Sequence, residues 1–235
     1  MILGVIPARL NSTRFPNKVI FNLNGKLIVE HVYDKVSQCE SIDHLVVAVD
    51  SEKTRNLINC SNIMMTSDKH QSGTDRVAEV ANKYECDIVV NIQGDEPGID
   101  PKLIDKLISL FNNPEVKMAS IASTDLDETD LKNINVVKVN LDKDNNALSF
   151  LRNNLEPDKK YYRHVGIYAY RKNTLNFFTS LNQSDNEKKH RLEQLRALDN
   201  SIAIKLLISD FNRRSIDTKE DLSLIHISEP TRPLY

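Results

Sequence analysis

Residues 2–18 read Ile2-Leu3-Gly4-Val5-Ile6-Pro7-Ala8-Arg9-Leu10-Asn11-Ser12-Thr13-Arg14-Phe15-Pro16-Asn17-Lys18: an apolar run, then a loop bearing three cations and two hydroxyls. The run is short and closed by a proline, which suits a strand covered on both faces, as in a parallel sheet. Residues 45–49 and 88–92 repeat that character. Between and after them, apolar side chains return at helical spacing. Ile28, Val32, Tyr33 and Val36 share a face in 28–38, and Val77, Val80, Ala81 and Tyr84 do so in 74–84. Leu103, Ile104, Leu107, Ile108 and Phe111 form the stripe of 101–112, with Pro101 suited to a first helical turn. Strand and helix alternate, which predicts an α/β fold built on an open, doubly wound, mostly parallel sheet.

The second half is patterned differently. Residues 118–124, 136–141, 147–151 and 165–170 read as strands of an antiparallel excursion, with an Asp/Asn-rich turn at 142–146. Helices are expected at 173–180 and 190–199 and a strand at 203–208, while the polar stretch 183–189 reads as a flexible loop. Residues 1–222 are expected to form a single domain, a size that buries a real core. From Asp217 a helix should open, with Thr218 near its cap and Glu220 and Asp221 in its first turn. Residues 223–235 then depart from helical spacing and place Pro230 and Pro233 three apart. They read as an atypical, non-native tail that packs poorly against the domain.

Charge and cysteine usage narrow the function classes. A formal net charge of −2 gives no bulk attraction to nucleic acid or to a membrane surface. Cys39, Cys60 and Cys86 form no CxxC pair, which argues against zinc or a disulfide framework and for a reducing cytoplasm. The apolar opening run is too short for a signal peptide or a membrane span. Neither a GxGxxG nor a GxxxxGK[ST] pattern occurs, so dehydrogenase and P-loop readings lose their main support.

Three constellations carry the chemistry. In open α/β sheets ligands bind at the carboxyl ends of strands, where the loop after residue 6 lies. Its guanidinium forks, ammonium and hydroxyls are groups that hold a triphosphate, although composition alone also fits a solvated basic loop. Asn91-Ile92-Gln93-Gly94-Asp95-Glu96-Pro97 follows the strand at 88–92 and puts a carboxylate on a tight turn. Mg²⁺ takes one or two such carboxylates and completes its shell with water and phosphate oxygens. Asp68-Lys69-His70-Gln71-Ser72-Gly73-Thr74-Asp75-Arg76 opens a helix, where Ser72 or Thr74 can cap and free donors can hold a base or phosphate. Later, Glu193 and Arg196 stand at i,i+3 and on spacing alone read as a surface ion pair.

Together these segments resemble the 3-deoxy-manno-octulosonate (Kdo) cytidylyltransferases, the CMP-Kdo synthetases. The likeness rests on Pro7-Ala8-Arg9, Ser12-Thr13-Arg14-x-Pro16-x-Lys18, Asp68-x-His70-Gln71-Ser72-Gly73-Thr74-Asp75-Arg76 and Gln93-Gly94-Asp95-Glu96-Pro97. It continues in Arg163-His164-x-Gly166-Ile167-Tyr168, Leu192-Glu193-Gln194-Leu195-Arg196 and Asp217-Thr218-x-Glu220-Asp221-Leu222. The order is kept from about Met1 to Leu222, and the set is specific where one segment alone would not be. Residues 151–161 form a shorter loop than the family usually has.

The resemblance implies a Rossmann-like nucleotidyltransferase, of the nucleotide-diphospho-sugar transferase type and a homodimer, that takes CTP and Kdo to CMP-Kdo and pyrophosphate for lipopolysaccharide assembly. It places Ala8, Arg9, Ser12 and Lys18 on the triphosphate and Gln71, Ser72, Gly73 and Arg76 around the nucleoside. Asp95 and Asp217 would bind Mg²⁺, and Arg9, Lys18, Asp95 and Asp217 would carry catalysis. Gln93, His164, Tyr168, Glu193 and Gln194 would face the sugar, with Arg152 pairing with its carboxylate. Two alternatives stand beside this: a cytidylyltransferase for another acidic sugar, such as a nonulosonate or an amino-Kdo, and a non-catalytic sugar-nucleotide-binding domain. The second is disfavoured by the presence of Lys18, Asp95 and Asp217.

Overall fold

Every strand expected in the first half forms, and the opening run becomes β1 (Ile2–Ala8) at the middle of the sheet. The structure, a computed structural model, is described over residues 1–9 and 18–211. Ser12, Arg14, Asp217 and the segment 223–235 therefore lie outside the described residues. Along β1, Leu3 and Val5 enter one hydrophobic cluster while Ile6 and Ala8 enter the other, as the two-residue period of a strand requires. A 3₁₀ turn at Lys18–Ile20 leads to a small hairpin of β2 (Asn22–Leu23) and β3 (Lys26–Leu27). Asn24 and Gly25 turn it with φ of 52° and 88°, the left-handed values that an Asn-Gly hairpin turn demands.

From there the winding is regular. Helix α1 (Ile28–Val36) precedes β4 (His44–Val49), α2 (Glu52–Leu57) precedes β5 (Ile63–Met65), and α3 (Gly73–Ala81) precedes β6 (Ile88–Asn91). Then come α4 (Pro101–Ser109), β7 (Met118–Ser123), α5 (Glu128–Lys132), β8 (Lys138–Leu141), β9 (Ala147–Leu151) and β10 (Tyr162–Arg171). Helices α6 (Lys172–Ser180), α7 (Asp185–His190) and α8 (Gln194–Asp199) lead to β11 (Ile204–Ser209).

The strands form one sheet in the order β11-β7-β10-β6-β1-β4-β5, with β8 attached to β10 and β9 to β8. Strands β6, β1, β4 and β5 are parallel, and so is the β7–β11 pair. Strand β10 runs antiparallel to both β6 and β7 and joins these two parallel sets. This corrects the expected excursion: β7 and β10 belong to the main sheet, and only the β8–β9 hairpin projects from it. A register shift between Val165 and Ala169 lets the ten-residue β10 pair with β8 at one end and β6 at the other.

The two faces are covered by different helices. Val29, Val32 and Val36 of α1 join Leu103, Ile104, Leu107 and Ile108 of α4 on one side. On the other, Val77, Val80 and Ala81 of α3 meet Leu175 and Phe178 of α6 and Leu195 of α8. Each fully buried aliphatic side chain contributes about 1.5–3 kcal/mol over leaving it exposed, so these stripes hold the helices to the sheet.

The polar stretch 183–189 is not a loop throughout. Ser184 caps α7, its Oγ accepting from the Glu187 N–H at 3.2 Å while Glu187 reaches back toward the Ser184 N–H. Such a reciprocal cap holds a short helix that has no apolar stripe of its own.

Candidate active site

Three chain segments converge at the carboxyl ends of the central strands. Strand β1 ends at Ala8 and Arg9, β6 runs into Gln93-Gly94-Asp95, and α3 begins beside them at Ser72-Gly73-Thr74. The Ile92 N–H donates to the Val5 carbonyl at 3.0 Å and presses the second segment onto the first. Gly94 makes that approach possible: a Cβ there would stand 3.1 Å from the Pro7 carbonyl oxygen. A cleft of about 820 Å³ opens over this junction. Its lining includes Arg9, Lys18, Gln71, Ser72, Gly73, Gln93, Asp95 and Glu193 of the expected site.

Lys18 is not a solvated cation. Only 5% of it is exposed, and its Nζ donates to Asp95 Oδ2 at 2.6 Å. Arg9, by contrast, is exposed. Asp95 keeps about a third of its side chain accessible, 30%, so a carboxylate oriented by an ammonium faces the cleft. No cluster of three metal-binding side chains occurs among the described residues. One cleft carboxylate, beside the cations Arg9 and Lys18, nevertheless fits Mg²⁺, which shares its shell with substrate phosphates and needs no cage of protein ligands.

The start of α3 is built from hydroxyls. Ser72 Oγ accepts from the Asp75 N–H at 3.1 Å, and Asp75 in return accepts from the Ser72 N–H at 3.0 Å. Thr74 donates to Glu193 Oε2 at 2.5 Å and accepts from Asn91 Nδ2 at 3.4 Å, which ties α3, β6 and the entry to α8 together. Glu193 was expected to pair with Arg196 on the surface. Instead Arg196 is buried and grips Glu187 through two bonds, Nε to Oε2 at 2.8 Å and Nη2 to Oε1 at 2.7 Å. Its contact with Glu193 Oε1 is longer, 3.6 Å. Burial raises the Glu193 carboxyl above its ordinary pKa, opposed by the Thr74 and Ser72 hydroxyls and the Arg196 charge.

Other expected residues stand apart from the cleft lining. Ala8 is buried at the end of β1. Arg76 is buried beneath the site, donating to Thr66 Oγ1 and to Asp50 Oδ2 at 3.2 Å, where it braces the segments that follow β4 and β5. Arg152 donates to the carbonyls of Ile134 and Asn135 at 3.1 and 3.2 Å. Gln194 is buried in α8.

His164 and Tyr168 lie in an aromatic row with Phe150, ring centroids 5.0 and 5.4 Å apart. The Ser120 hydroxyl donates to the Ile167 carbonyl at 2.8 Å, so the 2.9 Å bond between Ser120 and His164 is made by the ring's Nε2–H. Burial alone pushes His164 down to about 3 and keeps it neutral.

The wall contributed by α7 and its ends, where Gln183, Glu187, Lys188 and Arg191 line the same cleft, is not apparent from apolar spacing. Arg191 ends the helix with φ of 53°, and its N–H donates to the Glu187 carbonyl. The spacing Ser184-x-x-Glu187 was the available signal, a capping box without an apolar run behind it.

Residues 3–206 match the family model described as cytidylyltransferase. A 3-deoxy-manno-octulosonate cytidylyltransferase from Solibacter usitatus is 38% identical over 233 residues, covering 95% of this chain and 92% of its own. One of the same name from Leptospira interrogans is 40% identical over 232 residues, covering 95% and 94%. Among solved structures, a CMP:2-keto-3-deoxy-manno-octonic acid synthetase complexed with CTP superposes with a TM-score of 0.89 at 31% identity, covering 96% of this chain and 97% of that one.

Proposed function

The chain belongs to the cytidylyltransferase family, and from that premise we propose that it transfers CMP from CTP to the anomeric hydroxyl of Kdo, releasing pyrophosphate. The observation that carries this reading is the cleft itself. Arg9 and the Lys18–Asp95 pair stand at one strand-end junction, and Glu193 lines the same space within reach of a second substrate. The sugar hydroxyl attacks the α-phosphorus, the new P–O bond forms as the bond to the bridging oxygen breaks, and the hydroxyl proton is released. Catalysis of such a step is mostly positioning and charge neutralisation.

Arg9 and Lys18, with Ser12, hold the phosphates. Gln71, Ser72 and Gly73 lie where base and ribose would rest, at the start of α3. Gln93 and Glu193 offer acceptors to sugar hydroxyls, and Lys188 and Arg191 add two cations to a cleft that must admit an anionic sugar beside a triphosphate. Asp95, with Asp217, would hold Mg²⁺, which when bound neutralises phosphate charge as pyrophosphate leaves. Residues 1–222 are read as the catalytic domain.

We further read the protein as a cytoplasmic homodimer supplying lipopolysaccharide assembly. Exposed Ile134 and Leu148 offer apolar surface for such an interface. No helix among the described residues is long and apolar enough to cross a membrane. Pyrophosphate release from CTP and Mg²⁺ with a panel of acidic sugars tests the reading. Kdo is expected to give the highest kcat/KM; a nonulosonate or amino-Kdo surpassing it would reassign the sugar, and no turnover with any of them would refute catalysis.

A further inference from the structure

We propose that Arg196 is a positioning residue of the reaction: gripped by Glu187, it holds the Glu193 carboxylate in the cleft as a charged acceptor for a sugar hydroxyl. The inference rests on the function proposed above. Arg196 is a buried guanidinium. Glu187 is itself buried, and the two-point fork between them already matches one carboxylate to one cation. The same Nη2 also lies 3.6 Å from Glu193 Oε1, on a residue that lines the cleft. The guanidinium stands 4.8 Å over the Phe178 ring, so it is fixed from a third side.

Glu193 is only half used by the protein. Its Oε2 takes the Thr74 hydroxyl at 2.5 Å, while Oε1 makes no close hydrogen bond among the described residues and has the longer Arg196 contact at 3.6 Å. A buried carboxylate oxygen left without a donor is costly unless a ligand supplies one. A hydroxyl-rich sugar does so. The groups bearing on this carboxyl are the Ser72 and Thr74 hydroxyls, the Asp75 carboxylate, the Tyr168 and Tyr170 rings and the Arg196 guanidinium. Of these, Arg196 alone is positive; from α7 and its end, Lys188 and Arg191 line the same cleft, and Glu187 is the carboxylate paired with Arg196. Burial and Asp75 favour the protonated acid, which would turn an acceptor into a donor; the Thr74 and Ser72 hydroxyls oppose this first, and Arg196 adds its positive charge to them. Glu187 is thus the anchor that keeps the cation in place, and the polar α7 gains a reason to exist.

The test separates this role from a merely structural one and from the proposed function. In Arg196→Gln, the Glu193 carboxyl, followed by ¹³C NMR in the substrate-free protein and assigned with Glu193→Gln, should titrate about one pH unit higher than in the unaltered protein. The acid limb of kcat/KM for Kdo should move up equally, about tenfold lower within that limb, while the Kd for CTP alone changes less than about twofold. Arg196→Lys keeps the charge but not the fork. It should raise KM for Kdo with little movement of the limb, and it stands in if the glutamine variant does not fold. A folded Arg196→Gln whose Glu193 titration is unmoved overturns the inference whatever the substrate proves to be. So does an equal loss of CTP affinity, or an Arg196→Lys protein with unchanged KM. Absence of turnover with Kdo in the unaltered protein overturns the function instead and leaves the NMR result to be read independently.

Discussion

Lys18 and Arg9 are both cations at the same cleft, yet they should respond differently to removal. Arg9 is exposed, so Arg9→Ala is expected to leave Tm unchanged while kcat/KM for CTP falls at least about tenfold, about 1.4 kcal/mol. Lys18 is buried with its stem packed, so Lys18→Ala should show the same kinetic loss together with a stability loss of about 1–2 kcal/mol. Equal Tm for the two variants would show that the buried Lys18 stem contributes no stability. Asp95→Asn can still accept from Lys18, so it should keep its fold and lose turnover; near-normal activity at saturating Mg²⁺ would refute its charge-bearing role. His164 supplies a pH signature. Its neutral form is held in the fold down to about 3, whereas the unfolded ring protonates near 6.5. The unfolded state therefore binds the extra proton first. Stability from this residue is complete above about 6.5 and declines as pH falls toward 3, by up to about 1.4 kcal/mol per unit. Urea denaturation at pH 7.5 and 5 should show that decline, and His164→Gln should flatten it; an equal slope in both proteins would place the acid sensitivity elsewhere.

At the scale of elements, α7 is where sequence and structure part most clearly. Its Asp185-Asn186-Glu187-Lys188-Lys189-His190 has no apolar residue, and its one buried side chain is Glu187. Ser184 holds the helix by capping it and by donating to Asp199 at 2.5 Å. Ser184→Ala should cost about 1 kcal/mol and accelerate amide exchange across 185–190, with a rise in KM for the sugar greater than for CTP. Unchanged exchange would mean that the Arg196–Glu187 pair alone secures the segment. The strands were legible because strands covered on both faces must be continuously apolar, and α1, α3 and α4 because each presents an apolar stripe to the sheet. A helix stabilised by one buried ion pair leaves no such pattern. The same limit applies to the site. Arg9, Lys18, Ser72 and Asp95 were visible because strand ends and helix starts fix where they go. The contacts of Arg152 were not, because the carbonyls of Ile134 and Asn135 that engage it come from a connection whose path sequence spacing does not reveal.

For the whole molecule, the decisive feature is that one sheet carries both halves of the chain. Strand β10 is hydrogen-bonded to β6 on one side and β7 on the other, and each helical layer packs along the same strands. Neither half can lose its pairing without exposing the other, so thermal unfolding should be a single transition, coincident by far-UV dichroism and aromatic fluorescence. We extend this to residues 223–235, which we propose contribute nothing to the enzyme. A closing helix from Asp217 would need apolar residues at i, i+3 and i+4. Ser223-Leu224-Ile225-His226-Ile227-Ser228 follows strand-like alternation instead, and Pro230 and Pro233 forbid a regular helix after it. A chain ending at Leu222 retains Asp217 and, among the described residues, every one that lines the cleft. It should keep its single unfolding transition, with Tm within about 2 °C, and should release pyrophosphate from CTP and Kdo within about twofold of the full chain. A second comparison makes the test specific, because Asp217→Asn in the shortened chain should abolish that turnover if Asp217 helps to hold Mg²⁺. Loss of either stability or activity on removing 223–235 alone would show that the segment belongs to the catalytic domain.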